Sequence, residues 1–81
     1  MTILAEQCKA ARALIGWSRR ELAEASHVAE RTLIDFERRA RSPQRRTLHD
    51  IRRALEDAGV IFIDAAEEGP GVRLRRDQAG Q

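Results

Sequence analysis

The residues of this sequence best able to do chemistry are its arginines, and the chemistry they favour is the binding of phosphate and guanine. Fourteen of the fifteen basic residues are arginine, whose planar guanidinium donates paired hydrogen bonds to either group. Between Arg38 and Arg53 there are seven arginines and one acid, Asp50, which leaves a local charge of +6. Because the whole chain carries only +2, the clustering rather than the net charge indicates a nucleic acid partner.

Catalytic and metal-binding chemistry has few residues available. The sequence contains two histidines, one cysteine and no tyrosine. His27 and His49 have no third ligand at a suitable spacing, and Cys8 has no evident base that would activate its thiol. We therefore expect no enzyme activity, no metal and no cofactor, and we interpret Cys8 as a small core residue.

Length and composition limit the architecture to one small domain. The chain has 81 residues, of which 42% are hydrophobic and 35% charged, a globular balance. A domain this short buries a small fraction of its surface, so dimerisation is expected. No apolar run approaches the ~18 residues of a membrane span, and no secretion signal is recognisable. These features predict a cytoplasmic protein without a membrane partner.

Four helices follow from the apolar spacing and from start and stop signals. The first lies within residues 3–15 and ends at Gly16, a residue type common just past a last helical turn. The second runs from Arg19 to about Ala25. It begins with Ser18 and Glu21 in the spacing of a capping box, in which each side chain accepts a hydrogen bond from a backbone N–H.

The third and fourth helices flank the loop at 41–44. The third runs from about Glu30 to Arg39 after Ala29, a poor N-cap because it has no side-chain oxygen. The fourth runs from about Arg45 to Ala58. The residues predicted to be buried are Leu33, Phe36 and Ala40 in the third helix and Leu48, Ile51, Leu55 and Ala58 in the fourth.

A C-terminal β-hairpin is predicted from two short runs rich in β-branched and aromatic residues, Val60–Ile63 and Val72–Arg75. Residues 64–71 form the connecting loop. The predicted fold is therefore mainly α, with a four-helix domain at 1–59, a hairpin at 60–76 and a frayed tail at 77–81.

Two short helices joined by a tight turn and flanked by further helices indicate a helix-turn-helix. The chain also resembles the phage-repressor and Cro-like helix-turn-helix family, often called the XRE family, over about residues 4–58. The residues that carry the resemblance are Gly16-Trp17-Ser18, Leu22-Ala23, Val28, Thr32-Leu33, Phe36-Glu37-Arg38, Ser42-Pro43, Thr47-Leu48, Ile51 and Ala54-Leu55.

The sequence departs from the family pattern at four places. Arg19 replaces the usual Gln, and Ala29 replaces the usual Ser. The turn contains Ser26 and His27 where the family usually has a Gly, and Arg39 stands where a Gly often follows the Glu-Arg pair. These departures affect the expected DNA contacts more than the fold.

The resemblance implies that the helix starting near Glu30 is a recognition helix, which lies in the major groove of double-stranded DNA. Arg31 can donate two hydrogen bonds to guanine, and Glu30 can accept one from cytosine. Asp35 lies one turn after Arg31 and either contacts a base or holds the Arg31 guanidinium. The candidate base-contacting residues are Ala29, Glu30, Arg31, Thr32 and Asp35.

Phosphate contacts are expected at the start of the second helix, where free N–H groups and the positive end of the dipole favour an anion, and in the arginine cluster. The alternative is a solvated charged surface. The candidate phosphate-contacting residues are Ser18, Arg19, Arg38, Arg39, Arg41, Arg45 and Arg46. The family also often pairs the acid at Glu37 with an arginine of the first helix, so we expect a partly buried ion pair with Arg12.

The leading hypothesis is a homodimeric repressor or autoregulator that binds a pseudo-palindromic operator. The alternative is an antitoxin or another protein-interaction module whose partner binds the hairpin. Dimerisation is expected through the hairpin, because one of its faces has nothing in the monomer to cover it, although a dimer through the fourth helix is the rival. The candidate dimerisation residues are Val60, Ile61, Phe62, Ile63, Val72 and Leu74.

Overall fold

A computed structural model describes residues 3–64 and 69–75 of the chain. The predicted tail at 77–81 and the middle of the predicted loop at 64–71 lie outside the described residues. The order of elements confirms the predicted mainly α fold with a C-terminal hairpin. The elements are α1 (Ala5–Ile15), α2 (Arg19–Ser26), α3 (Glu30–Glu37), α4 (Arg45–Asp57), β1 (Val60–Ile63) and β2 (Gly71–Leu74).

The first two helices begin where the sequence predicts, and α1 also ends there. Gly16 ends α1 in the left-handed conformation with φ of 71°, which a residue without Cβ adopts at little cost. The predicted capping box is present: Glu21 N donates to Ser18 Oγ at 3.1 Å, and Ser18 N donates to Glu21 Oε1 at 2.8 Å. The helix α2 continues one residue further than predicted, to Ser26.

The ends of α3, α4 and β2 differ from the prediction. The helix α3 ends at Glu37 and not near Arg39, because Arg39 adopts a positive φ of 61° that takes the chain out of the helical path. Ala40 is consequently exposed, not buried. In α4, Ala54 is buried and Ala58 only half-buried. The strand β2 starts and ends one residue earlier than predicted.

One hydrophobic core joins the helices and the hairpin. Its centre is formed by Leu22, Leu33, Ile51 and Leu55, which have no solvent exposure. The antiparallel register pairs Val60 with Leu74 and Phe62 with Val72, so these four residues form the inner face of the hairpin. Ile61, Ile63 and Arg73 form its outer face.

The hairpin is attached to α1 by the side-chain amide of Gln7, which is buried. Its Nε2 donates to the carbonyl oxygens of Ile63 and Gly71, both at 3.1 Å, and these two residues face each other in the register. Its Oε1 accepts from Leu4 N at 2.9 Å. Gln7 therefore uses its whole amide to join the start of α1 to the end of the hairpin that is next to the connecting loop.

Candidate nucleic-acid interface

The start of α3 is open to solvent. Ala29, Glu30 and Arg31 are exposed, while Thr32 and Asp35 are half-buried. Ala29 occupies the N-cap position and provides no side-chain hydrogen bond, as the sequence predicts. The first-turn N–H groups of α3 therefore have no side-chain cap competing with an external acceptor.

Arg31 and Asp35 form the i,i+4 pair that their spacing predicts. Arg31 Nε lies 3.5 Å from Asp35 Oδ1, and the Arg31 side chain is 77% exposed. An exposed pair at this distance contributes little to stability. Most of the Arg31 N–H groups therefore face solvent.

The turn between α2 and α3 depends on a residue that is not glycine. His27 ends α2 with φ of 60°, at a position where the resembled family usually has Gly. The side chain of His27 is exposed, which agrees with a turn residue. Among the described residues, no group of three or more His, Cys, Asp or Glu could hold a metal ion.

The candidate phosphate-contacting residues all reach the surface, although three are already engaged within the protein. Ser18 caps α2 with its hydroxyl, Arg19 lies near Glu37, and Arg39 pairs with Glu6 of α1. The others in the cluster are exposed and have no acidic partner in the described part of the chain: Arg38, Arg41, Arg45 and Arg46.

The start of α4 adds positive potential to this surface. Gln44 is the N-cap without a side-chain hydrogen bond, and the first turn contains no acid. Arg45 and Arg46 are both exposed there. Two like charges next to the positive end of the helix dipole are unfavourable in the free protein, and a bound anion relieves that repulsion.

Four polar side chains meet around the buried carboxylate of Glu37, and we call them the Glu37 cluster: Cys8, Arg12, Arg19 and Glu37. Glu37 is 2% exposed and forms the expected ion pair: Arg12 donates to it twice, from NH2 to Oε1 at 2.6 Å and from Nε to Oε2 at 2.8 Å. Arg12 NH1 also donates to the carbonyl of Trp17 at 3.0 Å. Arg12 thus joins α1 to the residue before the α2 cap and to the end of α3.

Two further contacts of Glu37 were not predicted. The Cys8 thiol donates to Oε2 at 3.1 Å, and Arg19 NH1 lies 3.6 Å from Oε1. The apolar spacing places Cys8 on the buried face of α1 correctly but says nothing of a partner. The contact of Arg19 crosses from α2 to α3. The sequence gives one signal for it, which is that position 19 holds an arginine where the resembled family usually has a Gln.

The protonation states follow from these contacts. Burial opposes ionisation of Glu37, but the hydrogen bonds from Arg12 and Cys8 and the charges of Arg12 and Arg19 outweigh it, so its pKa lies below its ordinary value. Burial and the neighbouring carboxylate raise the pKa of the Cys8 thiol. The cluster is therefore a carboxylate bound by two guanidiniums and a neutral thiol, without a nucleophile.

The candidate dimerisation residues divide between the two faces of the hairpin. Val60 and Phe62 are 2% and 8% exposed and pack into the core, and Val72 and Leu74 on the same face are half-buried. On the outer face, Ile63 is 39% exposed and Ile61 is half-buried.

Comparison with known proteins places the helical part of the chain in a family. A family model described as helix-turn-helix matches residues 9–56, more than half of the chain, and the hairpin lies outside the match. No curated protein matches the chain. No helix among the described residues is long and apolar enough to cross a membrane. The matched residues contain α2, the turn, α3 and the start of α4, which are the elements that carry the candidate interface.

Proposed function

Because the chain belongs to the repressor-like (XRE) helix-turn-helix family of DNA-binding transcriptional regulators, we propose that it binds a specific duplex sequence as a homodimer. The family consists of DNA-binding regulatory domains, not of enzymes. The observation that carries the proposal is the exposed, uncapped start of α3 beside a surface of arginines without acidic partners in the described chain.

The base contacts are assigned to α3. A recognition helix enters the major groove with its N-terminal residues facing the base edges. Arg31 is exposed, with Asp35 one turn further along the same face of α3, and its guanidinium is free for a bidentate contact with guanine O6 and N7. Glu30, Ala29 and Thr32 complete this end of the helix and are proposed to contact neighbouring bases.

The phosphate contacts are assigned to a phosphate clamp formed by Arg38, Arg39, Arg41, Arg45 and Arg46, together with Ser18 and Arg19 at the start of α2. Phosphate contacts fix the register of the protein on the duplex but carry no sequence information directly. They also release counterions, so the affinity must fall steeply with salt.

Binding measured against salt concentration tests the division between base and phosphate contacts. About six phosphate contacts per dimer give a log–log slope of about −5. Arg45→Ala should weaken binding to all sequences alike and reduce the slope, whereas Arg31→Ala should relax specificity at one base pair by about 1–3 kcal/mol. Arg53→Ala is the control, since Arg53 is an exposed arginine two turns further along α4.

A flat salt response of the unmodified protein contradicts the clamp. Uniform loss of affinity from both Arg31→Ala and Arg45→Ala contradicts the assignment of Arg31 to the bases.

The dimer is assigned to the outer face of the hairpin. A two-stranded hairpin exposes two edges and is marginal by itself, and a second copy would cover Ile61 and Ile63. Such a dimer would also place two α3 helices about 34 Å apart, which is one DNA turn. The rival is a dimer through α4.

Solution mass of an outer-face variant separates these two dimers. Ile63→Lys changes the outer face without removing a core residue, so we expect a folded monomer. Leu14→Lys, which alters another exposed aliphatic residue, should remain dimeric. A folded and fully dimeric Ile63→Lys protein contradicts the assignment.

An antitoxin-like role is the second candidate, with a partner protein bound to the hairpin side of the molecule. A groove of about 920 Å³ between α1 and β2 favours it, since Leu4, Phe36 and Val72 are among the residues that line it. This role predicts that Leu4→Lys, a change at an exposed residue of the groove, abolishes binding of the partner but leaves the oligomeric state unchanged.

A further inference from the structure

Arg19 connects the buried Glu37 cluster to the surface at the start of α2. It is the first residue of α2, and its NH1 lies 3.6 Å from Oε1 of Glu37, the last residue of α3. The Glu37 side chain is 1% exposed and that of Arg19 is 41% exposed. One end of the contact is therefore fixed in the interior while the guanidinium still reaches solvent.

The geometry leaves most of the Arg19 guanidinium available. A separation of 3.6 Å is longer than a hydrogen bond, and both Glu37 oxygens already accept shorter bonds, from Arg12 and Cys8. The contact is an attraction between charges that orients Arg19 without consuming its five N–H donors. The Glu37 carboxylate cannot rotate away, because its other partners fix it.

We propose that Glu37 is a positioning residue, which holds the guanidinium of Arg19 at the start of α2 so that it binds a phosphodiester group of duplex DNA. This inference rests on the proposed DNA binding and adds a residue that touches no DNA itself. It also connects the two helices of the motif, because the residue that ends α3 orients the phosphate contact of α2.

Arg19 does what the usual Gln at this position cannot. A glutamine has no charge for the Glu37 carboxylate to attract, whereas a guanidinium can face a carboxylate on one side and a phosphate on the other. A lysine carries the same charge in a single ammonium, which does not present two separate edges.

Binding to a mixed-sequence DNA duplex tests the inference, because a phosphate contact needs no particular sequence. Affinity is measured against salt for the unmodified protein, Arg19→Gln, Glu37→Gln and the double variant, at a temperature where circular dichroism shows all four folded. Loss of a charge-assisted contact should weaken binding roughly tenfold and reduce the salt slope by about 0.9 per contact. We expect that loss from either single variant, and no further loss when Glu37→Gln is added to Arg19→Gln.

The neighbouring pair Arg20–Glu24 is the matched control. It is also an Arg–Glu pair on α2, at 3.8 Å, but both side chains are more than two-thirds exposed. The substitutions Arg20→Gln and Glu24→Gln should affect binding independently of each other.

A further variant leaves Glu37 and its other partners untouched. Arg19→Lys should lose most of the DNA affinity that Arg19→Gln loses. If Glu37→Gln does not fold, the affinity of Arg19→Lys tests the inference in its place. The inference would be overturned if Glu37→Gln lowered DNA affinity equally in the unmodified protein and in the Arg19→Gln variant. It would also be overturned if Arg19→Lys bound DNA as tightly as the unmodified protein.

The outcomes separate the inference from the proposed function. If the unmodified protein binds with a steep salt slope and Arg19→Gln does not change it, the inference fails while the proposed function stands. If the unmodified protein does not bind duplex DNA, the proposed function fails and the inference fails with it.

Discussion

The helix-turn-helix unit and the hairpin of this protein expose opposite kinds of surface. The unit presents guanidinium groups from α3, the following loop and the start of α4, whereas the outer face of the hairpin presents Ile61 and Ile63 beside one exposed arginine, Arg73. Exposed charge attracts a polyanion, and exposed aliphatic surface attracts another protein surface. One small core therefore supports an arginine-rich surface and a largely aliphatic one.

The two regions are also fixed to the core by different chemistry, although both are attached to α1. Arg12 of α1 connects to the motif through the Glu37 carboxylate and the Trp17 carbonyl. Gln7, more than one turn earlier, connects to the hairpin through neutral hydrogen bonds. The first attachment depends on ionisation and the second does not.

The largest expected effect comes from the apolar attachment of the hairpin. Phe62 is buried on the inner face, with the guanidinium of Arg52 at 5.2 Å from its ring centroid. Phe62→Ala should lower the free energy of unfolding by about 3–5 kcal/mol. Ile63→Ala on the outer face should cost less than about 1 kcal/mol, because much of this side chain is already in water. Urea unfolding of both variants measures the difference, and equal losses would refute the distinction between the faces.

Removal of the ionic attachment should cost nearly as much. Glu37→Ala leaves the guanidinium of Arg12 and the thiol of Cys8 without their acceptor, so we expect a loss of about 3 kcal/mol. Glu24→Ala removes an exposed carboxylate and should cost about 0.5 kcal/mol or less. A small effect of Glu37→Ala in urea unfolding would mean that the cluster does not hold the motif together.

Acid should distinguish the two attachments. Since the pKa of Glu37 is lower in the folded protein than in the unfolded chain, its contribution is complete above the unfolded-state value of about 4.3. It is lost as the pH falls through the folded-state value. The free energy of unfolding of the unmodified protein should therefore fall over this range, and that of Glu37→Gln should fall less. Parallel curves would contradict the assigned ionisation.

The amide attachment of the hairpin is expected to be weaker. Gln7→Ala leaves the Ile63 and Gly71 carbonyls without their donor, which should cost about 2 kcal/mol. Amide hydrogen exchange should become faster in β1 and β2 while α2 and α3 are little affected. Faster exchange throughout the chain would show that the hairpin does not open separately.

The smallest effect concerns the start of α3, which has no side-chain cap. Ala29→Ser supplies an acceptor for the first-turn N–H groups of α3 and should stabilise the protein by about 1 kcal/mol. Thermal unfolding measures this gain. An unchanged midpoint would show that these groups already have another acceptor.

Local signals in the sequence predict most of the fold. The capping box at Ser18, Gly16 after α1 and the apolar spacing of α4 are each satisfied within a few residues of the chain, so their outcome depends little on the rest of the protein. The end of α3, in contrast, depends on contacts with a distant part of the chain. Arg39 adopts a conformation common for glycine, and its pairing with Glu6 depends on how α1 packs.

The candidate interface is predicted less completely than the fold. Exposure of Arg31 and of the arginine cluster follows from charge and helix spacing. The contacts of Glu37 with Cys8 and Arg19 join residues that are far apart in the sequence, and no spacing rule brings them together. The role of Gln7 is hidden for the same reason, because its acceptors are backbone carbonyls of the distant hairpin.

Selection of bound duplexes from a random DNA pool, performed with the unmodified protein and with Arg31→Ala, tests whether α3 reads the bases. We expect the unmodified protein to enrich a pseudo-palindrome with half-sites about one helical turn apart. We expect Arg31→Ala to lose the preference at one base pair of each half-site and to keep the others. No enrichment by the unmodified protein, or an identical preference from both proteins, would contradict the assignment of α3 to the bases.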